Sequence, residues 1–301
     1  MSKQLRAALV LKASAIALVF SVSLSASSSR SFVSTTGSDT NTAANCSATA
    51  NCRSFTAALS VTNPGGEIVV LSSGGYGPAT IGQSVVITAI GVDAALSQTT
   101  SGQNGLNINT GGNVTLVGLN LHGEGAGMNG LNVSQVAFLR LYNVTIENFT
   151  NDGVNFGSAS SHLDIYDSRL NDNGGNGLEL PSTGQQAYVH NTSFDHNGGS
   201  GVLLSGGGSA TVADSSADGN GSGFTVLEGN LALVGDRAMF NATGLIVSGA
   251  SSALTFAYCL VTQNASPFNI TSGGTLAGTN PGTNLVTGTG TGTPATAKSL
   301  M

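Results

Sequence analysis

Charge is scarce in this chain. Only 8% of its 301 residues are Asp, Glu, Lys or Arg, against about 25% in ordinary soluble domains. Proline is scarce as well: six prolines stand beside 43 glycines, which excludes a collagen-like repeat and a Pro-rich linker protein. Basic residues are scarcest past the N-terminal segment, where Lys298 is the one lysine. With no basic patch, nucleic acid and anionic membranes are excluded as partners, and an acidic polysaccharide would be repelled at long range. Asn, Ser, Thr and Gly take the place of charge, and a hydrophobic content of 40% suffices for a core.

The first residues explain part of that apolar content. Lys3, Arg6 and Lys12 give a basic start, Ala13 to Leu24 is apolar, and Ser23 to Ser29 is small and polar. This is the tripartite pattern of a secretory signal peptide, with cleavage expected after Ser25, Ala26 or Ser27. The apolar run is short for a membrane span of about 20 residues. Removing residues 1–26 leaves six basic residues against fifteen acids, a net charge of about −9. The expected product is secreted or held at the cell surface, without a membrane segment, and monomeric. Cysteine usage agrees: Cys46 and Cys52 are close enough in sequence to pair in an oxidising compartment, and Cys259, alone, is expected to be buried.

Self-similarity is the strongest signal. A glycine followed by apolar–polar–apolar recurs at Gly105, Gly130, Gly153, Gly177, Gly201, Gly223 and Gly244, and Pro267 continues the series. Steps of 21–25 residues separate them. The alternation reads as strand, and the glycine suggests a bend at positive φ. A second series runs through Asn143, Asp167, Asn191, Asp214, Gly235 and Tyr258, each preceded by a second alternating strand. A third short strand follows, with Val144 and Ile146, Ser168 and Leu170, and Thr192 and Phe194 directed inward. Asn173, Asn197, Asn220, Asn241 and Asn264 fall six residues after the second series. That spacing predicts an asparagine ladder at equivalent turns, the amides bonding from coil to coil, and Asn also tolerates left-handed turn conformations.

The fold class that follows is all-β: a right-handed parallel β-helix, or solenoid, with three short strands per coil. One coil buries too little to offset its own ordering, so stability must come from stacking. Residues 27–64 lack the repeat and form an N-terminal cap segment, in which Arg53 to Val61 reads as a short capping helix beside the Cys46–Cys52 staple. Residues 65–286 form the β-helix. Residues 287–301, mostly Thr, Gly and Ala, read as a disordered tail.

These repeated strand–turn units, with Asn and Asp at the bends from about residue 65 to 286, resemble the pectin-lyase-like superfamily, and in particular its glycine-rich secreted bacterial members. Phe32 to Asp39, Cys46, Cys52 to Phe55 and Gly65 to Ile68 are similar to the opening segment of such proteins. The resemblance implies fold far more than activity, since the superfamily holds lyases, hydrolases, esterases, tailspikes and adhesins. A lyase of this kind implies an Arg or Lys base and acidic calcium ligands. A polygalacturonase-type hydrolase implies Gly-His-Gly and Arg-x-Lys segments, and this sequence has neither.

Register nevertheless singles out one surface. Tyr142, Tyr166 and His190 share an outward position, and Arg140, Asp164 and Tyr188 share the next. Aromatic rings beside hydrogen-bonding groups suit a sugar, although stacked side chains also stabilise a sheet by themselves. At the following turn Glu147, Asp195 and Asp218 share one column, and Asp172 and His196 its neighbour. Carboxylates there could hold calcium or act as an acid/base pair, or be solvated turn acids. No other cofactor is implied. Two functions remain: a non-catalytic module binding a glycan or another cell-envelope component, or a polysaccharide lyase or glycoside hydrolase using Arg169, His190 and Asp195.

Overall fold

The structure is a computed structural model that describes residues 27–279 and 283–294. The expected signal peptide and the last residues of the expected tail, 295–301, lie outside the described residues. The chain winds as a right-handed parallel β-helix, and all its ladders between named strands are parallel. The first sheet has eleven strands, from Ser28–Val33 to Thr275–Gly278, and the second has nine, from Ala79–Ile81 to Ser266–Thr271. The third sheet is broken into a five-stranded and a three-stranded part. Single bridges through Ser193 and Ser216 span that break, so the expected third strand is reduced there to one paired residue per coil. Thr192 and Phe194 still point inward and are buried.

The register follows the repeat. Leu106, Leu131, Val154, Leu178, Val202, Phe224, Leu245 and Phe268 align across the second sheet. In the first sheet Leu139, Leu163, Ala187, Ala210, Leu231 and Leu254 align and are buried. These alternating apolar positions fill one continuous core, as period-two side chains must when one face of each sheet is enclosed.

The asparagine ladder is present, and Asn173, Asn197, Asn220 and Asn241 are buried. The Asn197 Oδ1 atom accepts from both the backbone N–H and the Nδ2 of Asn173, each at 3.1 Å, while the Asn197 Nδ2 donates to the Leu170 carbonyl at 3.0 Å. Asn220, Asn241 and Asn264 continue the chain of backbone-to-amide bonds. The ladder residues themselves are not left-handed. The positive φ lies one residue earlier, at Asp172, His196, Gly219, Phe240 and Gln263, and again along the second series at Asn143, Asp167, Asn191, Asp214, Gly235 and Tyr258.

The repeat glycines likewise have a different reason from the expected one. None of Gly105, Gly130, Gly153, Gly177, Gly201, Gly223 or Gly244 has a positive φ. Instead a Cβ at Gly177 would lie 2.7 Å from the Gly201 carbonyl oxygen and 3.0 Å from the Asn197 Nδ2. Glycine is required because stacked coils and the asparagine ladder leave no space for a side chain.

At the N-terminal end the helix Phe55–Val61 covers the column, with Phe55, Ala58 and Val61 buried. Ser54 caps it, its hydroxyl accepting from the Ala57 N–H. Cys46 and Cys52 form the expected disulfide. Ser28–Val33 is an unforeseen strand: it lies within the cap segment yet opens the first sheet by pairing with Thr62–Val70. Cys259 is buried. Near the C-terminal end Thr291 bridges Asn269, so that part of the tail segment is stacked on the last coil.

Candidate functional site

The outer face of the first sheet divides into two unlike halves. The strands Phe138–Tyr142, His162–Tyr166 and Gln186–His190 carry bulky outward side chains, placed there by alternation with the buried Leu139, Leu141, Leu163, Ile165 and Val189. Tyr142, Tyr166 and His190 occupy one column. The Tyr142 and Tyr166 rings are stacked, with centroids 5.0 Å apart and planes 6° from parallel. Tyr188 stands diagonally from Tyr166, its ring 5.8 Å away and tilted by 51°.

The neighbouring column, Arg140, Asp164 and Tyr188, is equally well aligned. The Arg140 Nε is 3.7 Å from the Asp164 carboxylate, and its guanidinium lies over the Phe138 ring at 3.9 Å. Burial pushes the Asp164 carboxyl above its ordinary range, opposed by the charges of Arg140 and His162. Burial, then the Asp164 charge, pushes the Tyr166 phenol up, so it stays a neutral hydrogen-bonding hydroxyl.

Past Tyr188 the face steps down. In the strands Gly208–Ala213, Gly229–Val234 and Ser252–Ala257 the small residues Thr211, Ala232 and Thr255 continue the Tyr188 column. Thr211, Ala232 and Thr255 form the floor of a groove of about 540 Å³, and His162, Asp164, Gln186 and Tyr188 form its wall. The sequence reading missed this shelf.

The other singled-out residues lie elsewhere. Arg169 lines a second trough of about 520 Å³, at the bend between the first and third sheets, with Ser193, Asp214, Ser216 and Arg237. Neither His190 nor Asp195 lines it. The His190 Nε2 faces the Asp214 carboxylate at 3.3 Å, and Asp195 accepts from the Ser216 hydroxyl and the Asp218 N–H. Only Arg169 of the three candidate catalytic residues lines the trough, while His190 and Asp195 each contact one of its lining residues, Asp214 and Ser216.

The turn acids are likewise dispersed. Glu147 and Asp195 are separated in their column by Asn171, which pairs with Glu147 and accepts from the Asp195 N–H. Asp218 is held by the Arg237 Nε at 2.5 Å and by the Met239 N–H. Asp172 keeps its place beside the His196 column as a left-handed turn residue. Among the described residues no three His, Cys, Asp or Glu side chains converge on a point that could hold a metal.

Four features had escaped the sequence reading. His122 faces two carboxylates, Glu124 at 3.4 Å and Glu147 at 3.8 Å. Asn104, Asn129, Asp152 and Asn176 form a second ladder, each accepting from the backbone N–H of the next. Its signal was present, as an Asn or Asp directly before each of four successive repeat glycines. Glu179, outward on the second sheet, is pushed up to about 7 by burial and by the Asp152 carboxyl. Asp236, accepting from the Ser215 and Val234 N–H groups in the interior, is pushed up to about 7 by burial.

The chain matches the family described as right handed beta helix region over residues 96–237 and, in a second overlapping match, 129–288. No curated protein matches the sequence. Among solved structures it is similar to pectate lyase Pel9A, with a TM-score of 0.58 and 16% identity over 85% of this chain and 77% of that one. A weaker likeness, with a TM-score of 0.42 and 11% identity, is to Geobacillus virus E2 ORF18, covering 80% of this chain and 53% of that one. At 16% identity the likeness to the pectate lyase is one of fold. No helix among the described residues is long and apolar enough to cross a membrane. The family match covers more than half of the sequence, and the chain belongs to the right-handed β-helix region family.

Proposed function

We propose that this is a secreted or cell-surface protein whose β-helix binds a glycan, or another polyhydroxylated component of a cell envelope, on the outer face of the first sheet without transforming it. The observation that carries the reading is the Tyr142–Tyr166 stack, continued by Tyr188 to the edge of the groove. Aromatic faces bury the C–H side of a sugar while neighbouring polar groups meet its hydroxyls. Export is supported by the N-terminal pattern of the sequence and by the Cys46–Cys52 disulfide. The reading needs no metal or cofactor.

A polysaccharide panel scored for both retention and product release tests it. The expected result is retention without turnover, lost in Tyr166→Ala. A second reading, polysaccharide cleavage, is favoured by one observation: Arg169 is the one described arginine whose side chain has no acid, carbonyl or ring partner in the protein, as a base awaiting substrate would be. Turnover abolished by Arg169→Ala would replace the first reading with the second.

A further inference from the structure

Resting on the glycan-binding reading, we infer that the groove beside Tyr188 takes an uncharged saccharide rather than a uronate or another acidic sugar. Three observations lead there. The first is the charge of the walls. The groove is lined by no Lys or Arg, and its ionisable residues are His162, Asp164 and Tyr188. The nearest cation along the face, Arg140, is already committed to Asp164 and to the Phe138 ring. A carboxylate entering here would meet Asp164 with no Lys or Arg of the lining to offset it, and a buried or half-buried anion without a partner is strongly disfavoured.

The second is unspent hydrogen-bonding capacity. Ser209, Thr211 and Thr255 present hydroxyls to the groove, and Gln186 and Asn230 present amides. None of these five side chains makes a hydrogen bond to another described residue. Elsewhere on the coils polar side chains are used within the protein, as in the two asparagine ladders. Neutral donors and acceptors arrayed without ions match a ligand whose polar groups are hydroxyls.

The third is the step itself. Tyr188 rises from the wall with 39% of its surface exposed, while Ala232 and Ala253 keep the shelf low beside it. A ring lying on Thr211, Ala232 and Thr255 places its C–H face or edge against the tyrosine. The whole described chain supports the same sign: five arginines and no lysine stand against fifteen acids, so long-range steering disfavours polyanions.

The test compares neutral probes (β-glucan, xylan and mannan) with acidic ones (polygalacturonate and alginate) by affinity electrophoresis and calorimetry, at low and high salt near neutral pH. The expected result is retention by at least one neutral polymer, with an affinity that salt barely changes. Tyr188→Ala weakens it roughly tenfold, while Arg169→Ala, folded as judged by circular dichroism, leaves it within about twofold. Preferential retention of an acidic polymer, weakened by salt or by Arg169→Ala, overturns the inference and leaves the glycan-binding reading standing. Retention of neither class, with the wild-type protein folded, overturns both.

Discussion

Gly177 separates two physical effects that act in opposite directions. Its φ is not positive, so alanine can adopt its backbone conformation. By the unfolded-state argument alone, Gly177→Ala would stabilise the protein by about 0.4–1 kcal/mol. Space argues the other way. The new Cβ would sit 2.7 Å from the Gly201 carbonyl oxygen, and 3.0 Å from both the Leu170 carbonyl oxygen and the Asn197 Nδ2. Two of these are backbone atoms fixed by the ladder, in which the Val154 N–H donates to Gly177 at 2.9 Å and the Gly177 N–H donates to Ser200 at 3.0 Å. The coils cannot separate locally without stretching those bonds, so overpacking wins, at a net cost of about 1–3 kcal/mol. Gly82 is the internal control: it has no positive φ and nothing within 4 Å of its virtual Cβ. Gly82→Ala should be neutral or slightly stabilising. Urea denaturation followed by circular dichroism measures both, compared by midpoint because a stacked array need not unfold in two states. The steric account is refuted if Gly177→Ala raises the midpoint as Gly82→Ala does.

Other consequences are as direct. Asn197→Ala leaves two donors of Asn173 and the Leu170 carbonyl unsatisfied, and should cost about 3–5 kcal/mol in the same denaturation assay. Asp236 and Glu179 are pushed up to about 7, above the unfolded carboxylate values of 3.8 and 4.5. The native state therefore holds their protons more tightly. The stability this confers is full below about pH 4 and is lost as pH rises through about 7. For the buried Asp236 the loss is on the order of 2–4 kcal/mol, and Asp236→Asn should flatten the pH dependence of the melting temperature over that window. Reducing the Cys46–Cys52 link, or replacing both cysteines by alanine, should cost about 2 kcal/mol. Faster hydrogen exchange should then be confined to the cap around Phe32, whose backbone bonds to both Cys46 and Cys52.

The register was legible because a period-two pattern repeated every 21–25 residues admits one stacking that buries every alternate apolar side chain. That is why the Tyr142–Tyr166–His190 column is legible in the sequence. The reason for the glycines was not legible, since crowding between coils depends on spacing and on the asparagine amides beside them. Ser28–Val33 escaped because a single strand carries no repeat. The break in the third sheet escaped because Ser193 and Ser216 continue the spacing while their coils lose the flanking pairs. The shelf was missed for a different reason: Thr211, Ala232 and Thr255 are unremarkable singly, and a groove made by the absence of bulk leaves no motif. The repeat places Arg169, His190 and Asp195 on nearby coils, but which of them lines the trough at the bend between the first and third sheets, Arg169 alone, depends on side-chain direction.

The central claim is that the ligand surface is the stepped face of the first sheet. A crystal structure of the protein soaked with an oligosaccharide from the polymer it retains tests this most directly. The account predicts a sugar ring packed against Tyr188 over Thr211, Ala232 and Thr255, with further rings toward Tyr166 and Tyr142. Ordered sugar in the Arg169 trough, with the first-sheet face empty, would contradict it.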